Sequence, residues 1–170
     1  REGNTSLVLS DKNISNQKAS IPSILTVGAV HSHLVKHGLR GYCSLNVECS
    51  DAMDTHSFAI LIGVGATTVN PYLAIDSIYQ RFEKKLFGKS DFETCISKFK
   101  KSIDAGLLKI MSKMGISVIS SYRGGCNFEA VGLSRAIVSD YFPGMSSRIS
   151  GIGIIGIEKK IKELHEKFNT

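Results

Sequence analysis

Short apolar runs alternate with longer segments of helical periodicity along the chain. The short runs at residues 7–9, 43–47, 67–69 and 116–119 are bounded by polar residues or glycine, a pattern typical of buried strands. Between them, apolar side chains recur every three or four residues, which predicts amphipathic helices. The predicted helices cover residues 22–37 and 54–62, begin again at residues 70–71, and continue over residues 92–114, 135–142 and 154–168.

The ends of the predicted helices carry recognisable signals. Ser90 and Glu93 form a capping box, in which each side chain accepts a backbone N–H that the first turn leaves unpaired. Gly115 stands where a left-handed cap ends that helix, and Ser134 is a favourable N-cap for the short helix that follows it. Gly106 lowers helix propensity in the middle of residues 92–114. We therefore predict that Gly106 divides this stretch into two helices.

The alternation of strands with helices predicts the fold class. Parallel strands need a crossover connection, and a helix is the usual one, so strands separated by helices indicate an α/β architecture with a largely parallel sheet. No low-complexity segment or linker interrupts the chain. Residues 1–170 are therefore expected to form one domain or part of one. The chain starts at Arg1 rather than at Met, which favours a piece of a longer protein.

Composition narrows the class of protein. Of the 170 residues, 42% are hydrophobic and 21% are charged, which excludes wholesale disorder. Lys and Arg outnumber Asp and Glu by 21 to 15, but the basic residues form no block and the chain has no Trp, so we predict no nucleic-acid binding. No apolar run approaches the roughly 20 residues of a membrane span, so no membrane association is expected.

The cysteines indicate the redox environment. Cys43, Cys49, Cys95 and Cys126 are too few and too scattered for a disulfide scaffold, and their spacing closes no compact cluster site. We predict four free thiols and a reducing compartment.

Two short motifs suggest a metal site and a dinucleotide site, but each lacks residues or neighbouring elements that such a site needs. His33 and His37 are four residues apart on a predicted helix, a spacing suited to one metal, but no third ligand is evident, and His31 falls on the apolar face as a core histidine would. Residues 151–156, GIGIIG, match the dinucleotide fingerprint G-x-G-x-x-G. A loop rather than a clear strand precedes them, and the chain ends before the acidic residue expected about 20 positions on. We predict no metal site and no dinucleotide site.

Two glycine-containing loops are the remaining candidates for cofactor binding. Gly63 and Gly65 flank a turn, and Arg123 and Gly124 follow the last predicted strand. Loops at the carboxyl ends of strands form the ligand-binding face of α/β folds, and Glu48, at the end of another predicted strand, would share that face. The alternative is structural: the glycines make tight turns and Arg123 pairs with a nearby carboxylate. No Ser-His-Asp, Cys-His or paired-carboxylate set stands out, so we predict no catalytic residue.

Longer motifs, taken in order, resemble the central domain of glutamate synthase large chains. The most specific is KIMSKMGIS at residues 109–117, which continues into SYRGGCNFEAVGL at residues 121–133. The other matching stretches include LVLSD at residues 7–11, GAVHSHL at 28–34, GLR at 38–40, VNPYLA at 69–74 and SRI at 147–149. The chain departs from the family pattern at Ser32, Ser57 and Val64 and over residues 125–127. Collinear motifs over nearly the whole chain are far more specific than any single short pattern.

The resemblance implies part of a multidomain flavoenzyme, an oxidoreductase acting on CH–NH2 donors. In this family an amidotransferase domain releases ammonia from glutamine, and the ammonia passes through an internal tunnel to a flavin site. There it condenses with 2-oxoglutarate, and reduced FMN delivers hydride to the imine, giving glutamate. The central domain connects the amidotransferase and FMN-binding domains of the same polypeptide. It is similar to a rudimentary FMN-binding barrel, which implies an α/β fold with a partial, barrel-like parallel sheet and flanking helices.

The resemblance also bears on cofactors, location and assembly. FMN and an iron–sulfur cluster are implied for the full enzyme, whereas this chain, the later half of the central domain, lacks the amino-terminal cysteine, the cluster motif and the flavin segment. We expect it to support the tunnel without catalysing alone, in the cytoplasm or a plastid-type organelle. We also expect the isolated chain to self-associate through apolar surface left uncovered on the helices that would face the missing half of the domain. The alternative hypothesis is an independent phosphate- or flavin-binding half-barrel that uses the Gly63 and Arg123 loops.

Overall fold

The structure is a computed structural model that describes residues 3–125 and 127–169. The helices are α1 (Ser23–Lys36), α2 (Thr55–Gly63), α3 (Tyr72–Glu83), α4 (Phe92–Lys113), α5 (Ile119–Tyr122), α6 (Arg135–Tyr141) and α7 (Ile154–Asn169). The strands are β1 (Ser6–Ser10), β2 (Ser44–Glu48), β3 (Thr68–Asn70), β4 (Glu129–Leu133) and β5 (Ser146–Ile152). A single 3-10 turn, Arg40–Tyr42, lies between α1 and β2. None of the described helices is both long and apolar enough to cross a bilayer.

The strands form two separate parallel sheets. One has three strands in the order β1-β2-β3, and the other pairs β4 with β5. Helices connect successive strands in each sheet, as parallel pairing requires. The predicted α/β class with a partial, parallel sheet and flanking helices is confirmed, and the described strands close no barrel.

The two faces of the three-stranded sheet differ in chemistry. Leu45 and Val47 of β2 point toward the helices and are 0% and 2% exposed, respectively. On the opposite face, Asn46 Nδ2 donates to Ser6 Oγ at 2.7 Å, and Thr68 Oγ1 donates to Asn46 Oδ1 at 2.7 Å. A parallel sheet normally buries apolar side chains on both faces. Here one face belongs to the core, and the other carries a polar ladder that runs across all three strands.

Two of the helix-end signals read from the sequence are confirmed, but the predicted Ser90–Glu93 capping box is wrong, because Asp91 is the N-cap of α4 and no side-chain cap bond forms there. Ser134 Oγ accepts the backbone N–H of Ile137 at 3.3 Å and caps α6. Gly115 has a φ of 70° directly after α4, where the N–H of Ile116 donates to the carbonyl of Met111 at 2.9 Å. This is the left-handed cap that only glycine adopts without strain.

The predicted division at Gly106 is wrong, because α4 is continuous over 22 residues. A Cβ at Gly106 would lie 2.4 Å from Cγ2 of Thr55, at the start of α2. The glycine therefore lets α2 and α4 approach closely, and packing in the folded chain overrides its low helix propensity.

The predicted strand at residues 116–119 is also wrong. Its residues pair with no described strand, Val118 is 52% exposed, and Ile119 starts the short helix α5. An apolar run of four residues is ambiguous unless a partner strand lies beside it. The strands β4 and β5, which were not predicted, form the second sheet instead.

The GIGIIG motif also has a different context from the one predicted. The strand β5 runs directly into it and α7 follows, so a strand rather than a loop precedes the motif. A Cβ at Gly151 would lie 2.1 Å from the carbonyl oxygen of Gly132 in β4. Gly151 therefore permits close approach of two backbones within the sheet.

The β4-α6-β5 unit packs on the three-stranded unit through tight contacts. A Cβ at Gly28 of α1 would lie 2.4 Å from the Phe142 ring, and Ser32 Oγ donates to the carbonyl of Tyr141 at 3.1 Å. Tyr122 is fully buried, and its hydroxyl donates to the carbonyl of Ala59 in α2 at 3.1 Å. These contacts join both sheets around one continuous core.

We predict that Gly151→Ala destabilises the chain and that Gly153→Ala does not. The first substitution forces the β4 and β5 backbones apart, which should lower the free energy of unfolding by about 1–3 kcal/mol. A Cβ at Gly153 meets only Ser134 Oγ, at 3.9 Å, so this variant is the matched control. Urea denaturation measures both. Equal free energies of unfolding for the two variants would contradict the close approach of the β4 and β5 backbones at Gly151.

Candidate functional site

The two candidate loops lie at the amino ends of the strands, not at their carboxyl ends. The turn that contains Gly65 leads from α2 into β3, and Arg123 and Gly124 lie in the segment between α5 and β4. Glu48 is the last residue of β2, at the opposite end of its sheet. The expectation that Arg123 shares a face with Glu48 is therefore wrong. It depended on a strand at residues 116–119 that does not form.

At the amino ends, the Arg40 guanidinium connects three segments of the chain. Its Nη1 donates to the carbonyl of Cys43 at 2.6 Å, and its Nη2 donates to the carbonyl of Gly65 at 2.8 Å and to Thr67 Oγ1 at 3.2 Å. Its Nε donates to Nδ1 of His31 at 3.1 Å. Four donor–acceptor contacts thus tie the loops before β2 and β3 to α1.

The His31 ring is enclosed by two glycines that were predicted as candidates. A Cβ at Gly65, where φ is 130°, would lie 2.3 Å from Nδ1 of His31. A Cβ at Gly124, where φ is 70°, would lie 3.0 Å from its Nε2. Both glycines are needed for backbone conformation and for the space that the imidazole fills. Gly63 has an equivalent role beside Phe128, whose ring atom Cε2 would lie 2.1 Å from an added Cβ.

The electrostatics of this cluster are positive. Burial lowers the pKa of His31, and the charges of Arg40 and Arg123 lower it further. Burial also lowers the pKa of Arg40, and Arg123 adds to that effect. A carboxylate partner for Arg123 was the structural alternative, but its side chain has no ion pair with any described residue.

The cluster borders an open cavity of about 500 Å³. His31, Arg40 and Arg123 line it, together with hydroxyl-bearing side chains of Thr5, Tyr42, Ser44 and Thr67. The described lining therefore offers hydrogen-bond donors and positive charge, and it includes no Asp or Glu.

At the carboxyl ends, Glu48 is held in a separate polar network. It accepts from Ser10 Oγ at 2.7 Å and from Asn70 Nδ2 at 3.2 Å, and it pairs with Lys12 Nζ at 2.8 Å. The bonds from Lys12 and then Ser10 hold the pKa of Glu48 below its usual range. Glu48 is therefore an ionised cross-strand link between β1, β2 and β3, not a general base.

The cysteines in the described residues show no sign of a nucleophile. Cys43, Cys49 and Cys95 are free thiols. Burial, with the nearby Asp51 carboxylate, raises the pKa of Cys49 to about 12, so its thiol stays protonated at neutral pH. Cys126 lies outside the described residues.

The histidine pair at the carboxyl end of α1 makes local contacts: His33 lies in the last turn, and His37 is the C-cap residue. The rings of His33 and His37 are 4.2 Å apart, and Nδ1 of His37 lies 2.8 Å from the carbonyl oxygen of His33. Within residues 3–125 and 127–169 no group of three metal-ligating side chains comes together.

Arg40 is the residue of this cluster that sequence reasoning did not single out. The available signal was weak: a histidine on the apolar face of a helix needs a polar partner, and Arg40 follows the cap that ends that helix. The three acceptors that Arg40 reaches beyond α1 come from loops, and no periodic pattern predicts where a loop passes.

Comparison with known proteins places the chain in a family. A sequence model of the glutamate synthase central domain matches residues 1–134. The NADPH-type glutamate synthase large chain of Azospirillum brasilense is 58% identical over 165 residues, which cover 97% of this chain and 11% of that protein.

The names of other relatives specify different electron donors. The ferredoxin-dependent glutamate synthase of Pyropia yezoensis is 42% identical, and the match covers 98% of this chain and 12% of that protein. The NADH-type enzyme of Schizosaccharomyces pombe is 39% identical over 98% of this chain and 8% of its own length. This chain thus spans about a tenth of the relatives that it matches. The chain belongs to the glutamate synthase central domain family.

Proposed function

We propose that this chain connects the amidotransferase and FMN-binding domains of a glutamate synthase and supports the passage of ammonia between them. In that role it carries no catalytic group. The whole enzyme would convert glutamine, 2-oxoglutarate and a reductant into two molecules of glutamate. The observation that carries the proposal is the collinear match over nearly the whole chain to proteins about ten times longer.

Several polar side chains form hydrogen bonds within the fold, which supports a connecting role. Arg40 is used in bonds to the loops before β2 and β3, and Glu48 is used in bonds between strands. Asp11 accepts both the N–H and the Oγ–H of Ser50, at 2.8 and 2.6 Å. Side chains committed to such contacts hold a rigid frame and are not available to move protons on a substrate.

The reductant is set elsewhere in the enzyme. Relatives named for NADPH, for NADH and for ferredoxin all contain a segment similar to this one. A segment shared by enzymes with different electron donors serves a step that they have in common. Ammonia transfer is such a step, and FMN and the iron–sulfur cluster belong to other parts of the polypeptide.

The observed positions of the two glycine-containing loops favour the connecting role over the flavin-binding alternative. It required the Gly63 and Arg123 loops to lie at the carboxyl ends of strands, where α/β folds bind such ligands. Both loops instead precede strands.

A chimera tests the connecting role. We expect the large chain of Azospirillum brasilense, with this chain in place of its matching segment, to form two glutamates for each glutamine consumed. Replacing the same segment by a flexible linker should let ammonia escape, so the ratio falls toward one glutamate per glutamine. Glutamine consumption and glutamate formation are measured together.

Glutaminase activity and flavin absorbance show that the flanking domains of the linker variant are folded. If that variant still gives two glutamates per glutamine, the segment does not support ammonia transfer. Glutamate formation by this chain alone would show that it is catalytic, contrary to the proposal.

We also predict that the isolated chain self-associates through the β4–β5 sheet. Val131 and Ile149 are register partners there and are 65% and 62% exposed, a side-by-side apolar pair. The expectation from sequence had placed such a surface on helices. The double substitution Val131→Thr and Ile149→Thr keeps strand propensity and removes apolar area, so it should yield a monomer.

Light scattering at moderate salt measures the mass of both forms. The matched control is Val8→Thr on β1, where the side chain is 66% exposed, and this variant should associate like the parent chain. A monomeric parent chain would contradict the prediction.

A further inference from the structure

Three nitrogen-rich side chains meet at the open cavity beside the amino ends of the strands. His31, Arg40 and Arg123 line a space of about 500 Å³. Hydroxyl-bearing side chains complete the described lining, which includes no Asp or Glu. Guanidinium groups in proteins usually lie beside a carboxylate or reach into bulk water. The arrangement is therefore unusual in bringing two arginines together at one partly buried place.

The two arginines differ in how they are held. Arg40 is fixed by four bonds that use Nε, one N–H of Nη1 and both N–H groups of Nη2, which leaves one N–H of Nη1 without an acceptor among residues 3–125 and 127–169. The Arg123 guanidinium forms no hydrogen bond or ion pair with any described residue. One arginine is thus a fixed part of the cavity lining, and the other donates to no described residue.

His31 contributes a further donor. Its Nδ1 accepts from Arg40, so the neutral ring carries its proton on Nε2. The cavity therefore combines one fixed cation, a second cation that pairs with no described residue, and a neutral N–H donor.

Like charges held close together cost free energy that an anion would recover. Burial lowers the pKa of both His31 and Arg40, and the nearby charge of Arg123 lowers both further. Guanidinium groups bind phosphate and carboxylate through paired, charge-assisted hydrogen bonds.

We propose that the cavity lined by His31, Arg40 and Arg123 binds an oxyanion, a phosphate or a carboxylate group. Arg123 supplies the paired hydrogen bonds, and Arg40 supplies a second charge, fixed in place by its bonds to the loops before β2 and β3. The site is independent of the connecting role, because it depends only on residues of this chain. A bound oxyanion would stabilise the loops before β2, β3 and β4 together.

Thermal unfolding of the 170-residue chain tests the site. Sodium phosphate and sodium acetate are titrated separately against sodium chloride at equal ionic strength. We expect phosphate or acetate to raise Tm in a saturable manner, by about 3–6 °C at ten times Kd, relative to chloride. Phosphate alone would identify a phosphate group as the ligand, and acetate alone would identify a carboxylate.

The variant Arg123→Gln should lose this rise, because it removes the charge while leaving the bonds of Arg40 intact. Arg135→Gln, at an exposed position on α6, is the matched control and should keep the rise. A second readout is the imidazole resonance of His31, which should move with the same midpoint as Tm.

Two results would overturn the proposal. One is a response to phosphate and acetate no larger than the response to chloride. The other is a rise in Arg123→Gln equal to that of the parent chain, since this would mean that the anions act on the protein in general.

Discussion

The arrangement of the strands depends on the hydrogen bonds that the Arg40 guanidinium donates. A parallel sheet needs each crossover helix to return the chain to the same edge, and the loops that do so leave backbone carbonyls without strand partners. Arg40 satisfies two of those carbonyls, from Cys43 and Gly65, and also bonds to the side chains of Thr67 and His31. A planar group with five donors is suited to such a junction, whereas an ammonium is not.

The role of the glycines follows from this junction. The His31 ring fits against Arg40 only because Gly65 and Gly124 present no Cβ toward it. Glycines that would cradle a phosphate in a nucleotide-binding loop here make room for a side chain of the same protein. At the amino ends His31 and Arg40 thus have structural roles, while Arg123 forms no ion pair with any described residue.

Local signals were sufficient to predict much of the fold. The strands β1, β2 and β3 and the caps at Ser134 and Gly115 depend on short-range propensities that are visible in the sequence. The strands β4 and β5 were not visible, because their pairing tolerates register shifts and the glycines at 132 and 151. The continuity of α4 through Gly106 depends on Thr55, a residue about fifty positions away.

The sequence predicted several residues of the candidate site but not the end of the strands at which they lie. Gly65 and Gly124 both lie against His31, which shares a cavity with Arg123, yet at the amino ends of strands, because the apolar run at residues 116–119 has no strand to pair with. One misassigned strand moves a loop to the opposite end of a sheet. Whether His31 is buried depends on tertiary packing. Its partner Arg40 is therefore visible only in the folded chain.

The four hydrogen bonds of the Arg40 guanidinium hold the amino ends of the strands together. The free energy of unfolding of Arg40→Lys tests this most directly. Lysine keeps the charge but cannot reach the four acceptors at once, so we expect a loss of about 2–4 kcal/mol by urea denaturation. Arg148→Lys is the control, because Arg148 is exposed and its only described ion pair, with Glu129, is long at 3.5 Å. A stability for Arg40→Lys within about 0.5 kcal/mol of the parent chain would contradict the account.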